Sequence, residues 1–223
     1  PLLEKRCHVA AVSTDGYDGT GETTFTTAEA SAQKLEGYIQ RELDGEIDLV
    51  FGESFGCATA LMLFHRQKVR VRSMILSGAQ YMNMGIWDKP FAAYVPRSQF
   101  KLLQRIQSAN KLPWMLRLYT RGEKLLRQFQ YVPRNASLET LQNCTKEALA
   151  LYKQVDTFKP RPDAKVAIWY GSREPNMKKA VQKIKRAFPN AEEHPFEGYG
   201  HGDIIGFPDV MAEQIERFMS QNV

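Results

Sequence analysis

Cysteine is scarce in this chain. Three in 223 residues (Cys7, Cys57 and Cys144) are too few and too scattered for a disulfide framework, and their spacing holds no metal-binding pattern. A disulfide-stapled secreted scaffold and a structural zinc site are therefore excluded, and a reducing compartment, the cytoplasm, is expected. Long apolar runs are missing too. No stretch approaches the roughly 18 residues that cross a bilayer, and no signal peptide is visible. There is no internal repeat or low-complexity tract. Histidine is also rare, at four residues, which makes each one easy to weigh. The first residue is Pro1 rather than Met, so an upstream segment is expected.

The formal net charge of +5 is unevenly spread. Residues 82–163 hold 14 Lys and Arg against 6 Asp and Glu, whereas the remainder holds 16 against 19. One segment thus carries the whole basic excess. The plain reading is a solvated helical surface; the sharper one is an anionic substrate or an acidic membrane surface. No nucleic-acid-binding motif accompanies the charge, so nucleic acid is not expected as a partner.

What the chain does have is alternation. Residues 6–13 read as a strand, followed by a Gly/Asp/Thr loop and a helix from about Thr27 to Leu43. Its Ala28, Ala32, Leu35, Ile39 and Leu43 fall on one face at helical spacing. Strands are expected at 47–51, 71–76, 166–170 and near 192–196. Helices are expected at 57–65, 176–188 and 208–220, the last with Met211, Ile215 and Phe218 inward. Between residues 82 and 163 the alternation lapses into helical pieces broken by Pro90, Pro96, Pro113, Pro133, Pro160 and Pro162. The clearest piece starts at Ser137 as N-cap, with Leu138, Leu141, Ala148, Leu151 and Val155 inward. Strands alternating with helices imply a mostly parallel sheet with helices on both faces.

The chemistry centres on Gly52-Glu53-Ser54-Phe55-Gly56, which follows directly on the apolar strand 47–51. A Gly-x-Ser-x-Gly pattern between strand and helix suits a serine held on a turn so tight that glycine is expected on both sides. A serine hydroxyl needs a base to become a nucleophile, and a neutral imidazole suits that task. His8, His65 and His194 fall inside expected strands or at a helix end. Only His201 lies in a glycine-rich loop just past a strand, where ligands of parallel sheets gather. The imidazole in turn needs a carboxylate to orient it. Glu174 follows the strand 166–170 at the same sheet edge, with a surface ion pair to Arg173 or Lys178 as its plainer alternative. Asp203 competes for the role, although its position suits capping of the final helix.

Taken in order, Ser54, Glu174 and His201 run nucleophile, acid, base, each after its own strand. This arrangement resembles the α/β-hydrolase superfamily, and the similarity covers nearly the whole chain. The loop Asp15-Gly-Tyr-Asp-Gly-Thr-Gly21 resembles that family's Asp-x-x-Gly-x-Gly loop, and residues 82–163 resemble its helical cap. The resemblance implies a core of residues 1–81 and 164–223 with a cap at 82–163. It also implies a Ser54–His201–Glu174 triad, with the Phe55 N–H as one oxyanion donor and no metal or organic cofactor. The family's opening strands are not found here, and one of them leads to the second oxyanion donor. Aspartate is the commoner family acid, and Glu174 departs from it. The implied activity is hydrolysis of a small ester, thioester, lactone or related acyl compound. Acyl transfer, carbon–carbon cleavage and non-catalytic ligand binding stay open, as does pairing of two copies.

Three further patterns lead elsewhere. Gly16-x4-Gly21-Glu22-Thr23 resembles a phosphate loop, but Glu22 stands where a lysine is needed. Asp15 and Asp18 lack the later glutamate of a calcium loop. Cys57 is read as helix packing rather than a nucleophile. Trp87, Phe91, Tyr94, Phe100, Trp114, Tyr119 and Phe129 are expected mainly to pack the cap's own core or seat it on the sheet, a few lining an apolar acyl pocket.

Overall fold

In the computed structural model, residues 2–79, 83–108, 135–158 and 163–220 are described. Local chemistry sets the first crossover. Thr27 has extended backbone, and its hydroxyl accepts the Ala30 N–H at 3.0 Å, starting helix α1 (Ala28–Glu42). Asp44 (φ 53°) and Gly45 (φ 76°) take left-handed conformations that end the helix and turn the chain into strand β1 (Glu46–Glu53). Helix α2 (Gly56–Arg66) follows after a two-residue turn, then strand β2 (Arg70–Ser77). Helices α3 (Asp88–Ser108) and α4 (Leu138–Gln154) come next and pack on each other. The alternation then resumes with strand β3 (Lys165–Gly171), helix α5 (Met177–Ala187), strand β4 (Glu192–Phe196) and helix α6 (Pro208–Ser220).

Among the described residues, four strands form one parallel sheet in the order β1-β2-β3-β4. Because side chains alternate along a strand, the apolar runs in β2 and β3 feed two cores at once. Met74, Leu76, Val166 and Ile168 join α1, α2 and α5 on one side. Ile75, Ala167 and Trp169 meet Ile215 and Phe218 of α6 on the other. Leu61, Leu63 and Phe64 of α2 are at most 1% exposed. Each such side chain contributes about 1.5–3 kcal/mol by leaving water. A polar clamp joins α1 to α2, where the Arg66 guanidinium reaches both oxygens of buried Glu36, at 2.7 and 3.2 Å, and also pairs with Glu29.

Several expectations are corrected. Residues 6–13 are not a strand: residues 8–14 carry no helix or ladder, and Val9 and Val12 are exposed. A strand exists only through pairing, and the turn before it is drawn elsewhere, with Leu3 packed on the α6 core and Arg6 paired to Glu216 of α6 at 2.8 Å. Pro90 and Pro96 do not break α3. Pro90 occupies the first turn, where no N–H is needed. Beside Pro96, the Arg97 guanidinium donates to the Ala93 carbonyl at 3.0 Å. Helix α4 does start at Ser137, whose hydroxyl accepts the Thr140 N–H, but Leu149 is buried where Leu138 and Ala148 are only half-buried. Trp87 and Tyr94 are exposed rather than core residues, at 62% and 74%. Pro113, Pro133, Pro160, Pro162, Trp114, Tyr119, Phe129 and the boundary between residues 81 and 82 lie outside the described residues. Among those described, no helix is long and apolar enough to cross a membrane.

Candidate active site

A parallel sheet gathers all its carboxyl ends at one edge. Here Glu53 is in register with Ser77, Ser77 with Trp169, and Gly171 with Phe196. Ser54, the residue after β1, has φ of 52°, a left-handed conformation that costs a residue with a Cβ on the order of 1–3 kcal/mol. Its surroundings hold it there. The Ser54 N–H donates to the Ser77 carbonyl at 2.7 Å, and its own carbonyl accepts the Cys57 N–H at 3.1 Å. At Gly52 a Cβ would sit 2.8 Å from the Cys57 backbone, so only glycine fits. At Gly56 a Cβ would meet nothing within 4 Å. The expectation of a required glycine on both sides therefore holds at one position, since the chain folds back over Gly52 alone.

Cys57 braces this turn. Its buried thiol lies 3.1 Å from the Gly52 carbonyl and 3.2 Å from that of Ser77. Burial pushes the thiol well above its ordinary pKa, which suits packing rather than thiolate chemistry.

The loops after β3 and β4 are laced together. The Ser172 N–H donates to the Phe196 carbonyl and the Arg173 N–H to that of Tyr199, both at 3.0 Å. At Gly171 a Cβ would lie 2.3 Å from the Tyr199 carbonyl oxygen, so the loops approach this closely only because a glycine ends β3. Glu174 folds back over the same strand end. One carboxyl oxygen accepts the Gly171 N–H at 2.7 Å, and the other lies 2.7 Å from His201 Nδ1. The opposite ring nitrogen, Nε2, lies 2.8 Å from Ser54 Oγ. Ser54, His201 and Glu174 thus stand in one hydrogen-bonded row although 147 residues separate the first two. Glu174 is buried and bonded to the imidazole rather than paired at the surface with Arg173 or Lys178.

Asp203 has a different task from capping α6. Its buried carboxylate accepts the Gly200 N–H at 2.7 Å and so closes the loop that carries His201. Burial alone depresses the His201 pKa. The hydrogen bond and charge of Glu174, with Glu53 and Asp203 adding, outweigh it and leave the imidazole above its ordinary value. Phe55 opens α2 with a right-handed backbone, and among the described residues its N–H takes no acceptor. His65 stacks on Phe158, His194 lies within β4, and His8 is exposed, so none of the three joins the site.

Two residues escaped the sequence reading. Gly78, with φ of 63°, would place a Cβ 3.0 Å from His201 Cε1, so its bareness makes room for the ring. Glu53 has both carboxyl oxygens buried at the same edge. Alternation was its available signal, because it continues the face of Leu49 and Phe51 with a charge.

The sequence profile described as "Alpha/beta hydrolase family" matches residues 1–214. The chain belongs to the alpha/beta hydrolase family. Solved structures of similar fold include an alpha/beta hydrolase family protein from Desulfitobacterium hafniense, 17% identical over 92% of this chain and 82% of that one, with a TM-score of 0.71. A structure from a study of carboxylesterases of the Thaumarchaeon Nitrososphaera gargenis is 14% identical, covering 95% and 78% of the two chains, with a TM-score of 0.67. The enol-lactonase from Burkholderia xenovorans LB400 is 16% identical, covering 93% and 75%, with a TM-score of 0.63. At such identities these hydrolase relatives speak to the fold alone. No curated protein sequence matches this chain.

Proposed function

We propose that this alpha/beta hydrolase is a serine hydrolase acting on a small ester, thioester, lactone or related acyl compound. The observation that carries the reading is the row Ser54 Oγ–His201 Nε2–His201 Nδ1–Glu174, at 2.8 and 2.7 Å. With the ring proton on Nδ1 donated to Glu174, Nε2 accepts the serine proton as Oγ attacks the substrate carbonyl. The carbonyl π pair moves to oxygen, where the Phe55 N–H at the α2 N-terminus serves as one oxyanion donor. His201 then gives its proton to the leaving group and activates water for release of the acid. Residues 82–163 act as a cap, and their basic excess favours an anionic substrate.

The decisive experiment is labelling with a fluorophosphonate probe alongside nitrophenyl-ester turnover. Ser54 takes the label, and Ser54→Ala abolishes both signals. Folded protein that neither labels nor turns over esters overturns the reading, and a competing alcohol acceptor reveals transfer in place of hydrolysis.

A further inference from the structure

Glu53 has no task in the scheme above, yet it is a buried acid at the sheet edge. Both carboxyl oxygens are buried, and neither meets a donor at hydrogen-bonding geometry among the described residues. A buried acid short of well-formed hydrogen bonds destabilises a fold and calls for an explanation. Its position shows what it faces. A Cβ on Gly78 would lie 3.4 Å from Glu53 Oε1 and 3.0 Å from His201 Cε1, so those two atoms are within about 6.4 Å of each other, the two distances laid end to end. Gly78, bare of a side chain, borders both the carboxyl and the ring. Cys57 of α2, Ser77 of β2, Glu174 after β3 and His201 after β4 are the groups that act on this acid. Burial pushes its pKa up to about 7. The Ser77 hydroxyl and His201 pull the other way, and Glu174 adds to the rise.

We propose that Glu53 is a second carboxyl for His201, a positioning residue whose negative charge stabilises the imidazolium formed when Nε2 takes the Ser54 proton. This rests on the serine-hydrolase reading. Glu174 supplies the bonded partner and the ring orientation; Glu53 supplies charge on the Cε1 side without a hydrogen bond. The Glu53 carboxyl oxygens are buried while the His201 side chain is 34% exposed, and at that partial screening the charge is worth about tenfold in turnover. Full activity then requires two groups to have lost protons, His201 and Glu53, and the pair titrates as a coupled unit.

The test compares wild type, Glu53→Gln and Glu53→Asp by the pH profile of kcat/KM and by NMR titration of the His201 ring. The wild-type acid limb is expected to be steeper than one ionisation allows. Glu53→Gln reduces the limb to a single ionisation, moves it and the ring titration to lower pH, and lowers the plateau about tenfold. Glu53→Asp restores the steep limb in part. The stability of Glu53→Gln separates charge from packing. An acid whose folded pKa is raised costs stability as pH rises from its unfolded value of about 4.5 to about 7. The variant should therefore melt several degrees higher than wild type at pH 8 and lose that advantage near pH 4. A Glu53→Gln enzyme with unchanged limb shape and unchanged ring titration overturns the proposal. Failure of wild type to label at Ser54 would instead remove the serine-hydrolase reading, while the ring titration still reports on Glu53.

Discussion

On the two faces of the sheet, β2 and β3 bury Met74, Ile75, Leu76, Ala167 and Ile168 to 1% exposure or less. At the carboxyl edge of the sheet, β1, β2 and β3 end in or lead into Glu53, Ser54, Ser77, Gly78 and Gly171. The faces are built from apolar area, which stabilises regardless of fine detail. The edge is built from what area cannot supply: a left-handed serine, glycines where backbones nearly touch, and carboxylates removed from water. Each of these costs free energy that the faces offset. The difference teaches that stability and chemistry are divided along each strand rather than between separate strands.

The largest expected effect that would break this division is at Glu174. Glu174→Gln should lower kcat by about 10³–10⁴ with little change in melting temperature, because the amide orients the wrong imidazole tautomer. The same change removes the charge that raises His201, so the acid limb of any residual activity moves to lower pH. Loss of folding rather than of turnover would show that the edge carries stability after all. The face gives the opposite pattern. Leu61→Ala, deep in α2, should cost about 2–5 kcal/mol in denaturant unfolding while kcat of the folded fraction is kept. The smallest effect sharpens the comparison within the edge itself. Gly56→Ala should change stability by no more than about 0.5 kcal/mol, since the site is open. Gly52→Ala, which forces a backbone contact, should cost at least about 2 kcal/mol. Equal melting temperatures for the two would refute the account of the turn.

Much of this was readable beforehand, and for definite reasons. The alternation of β2 and β3 and the helical spacing of α1 are local patterns, so those elements stand where their residues place them. Thr27, Asp44 and Gly45 carry their turn chemistry in their own backbone preferences. Residues 6–13 were misread because an alternating segment is a strand only if a neighbour pairs with it, which no local pattern states. Asp203 was misassigned for a related reason. Closeness to α6 in sequence suggested a cap, whereas its carboxylate turns back to the Gly200 N–H.

By itself, the order of residues determined the parallel α/β character, the tight turn at Ser54, and which histidine and carboxylates could reach a common edge. Those properties follow from side-chain periodicity and backbone preference, which act over a few residues. Only the tertiary structure decided that Gly78 and Gly171 make room for other loops and that Glu53 lies dry beside the imidazole. Desolvation and close approach are set by groups far apart in the chain, and they exist only once the chain has closed around them.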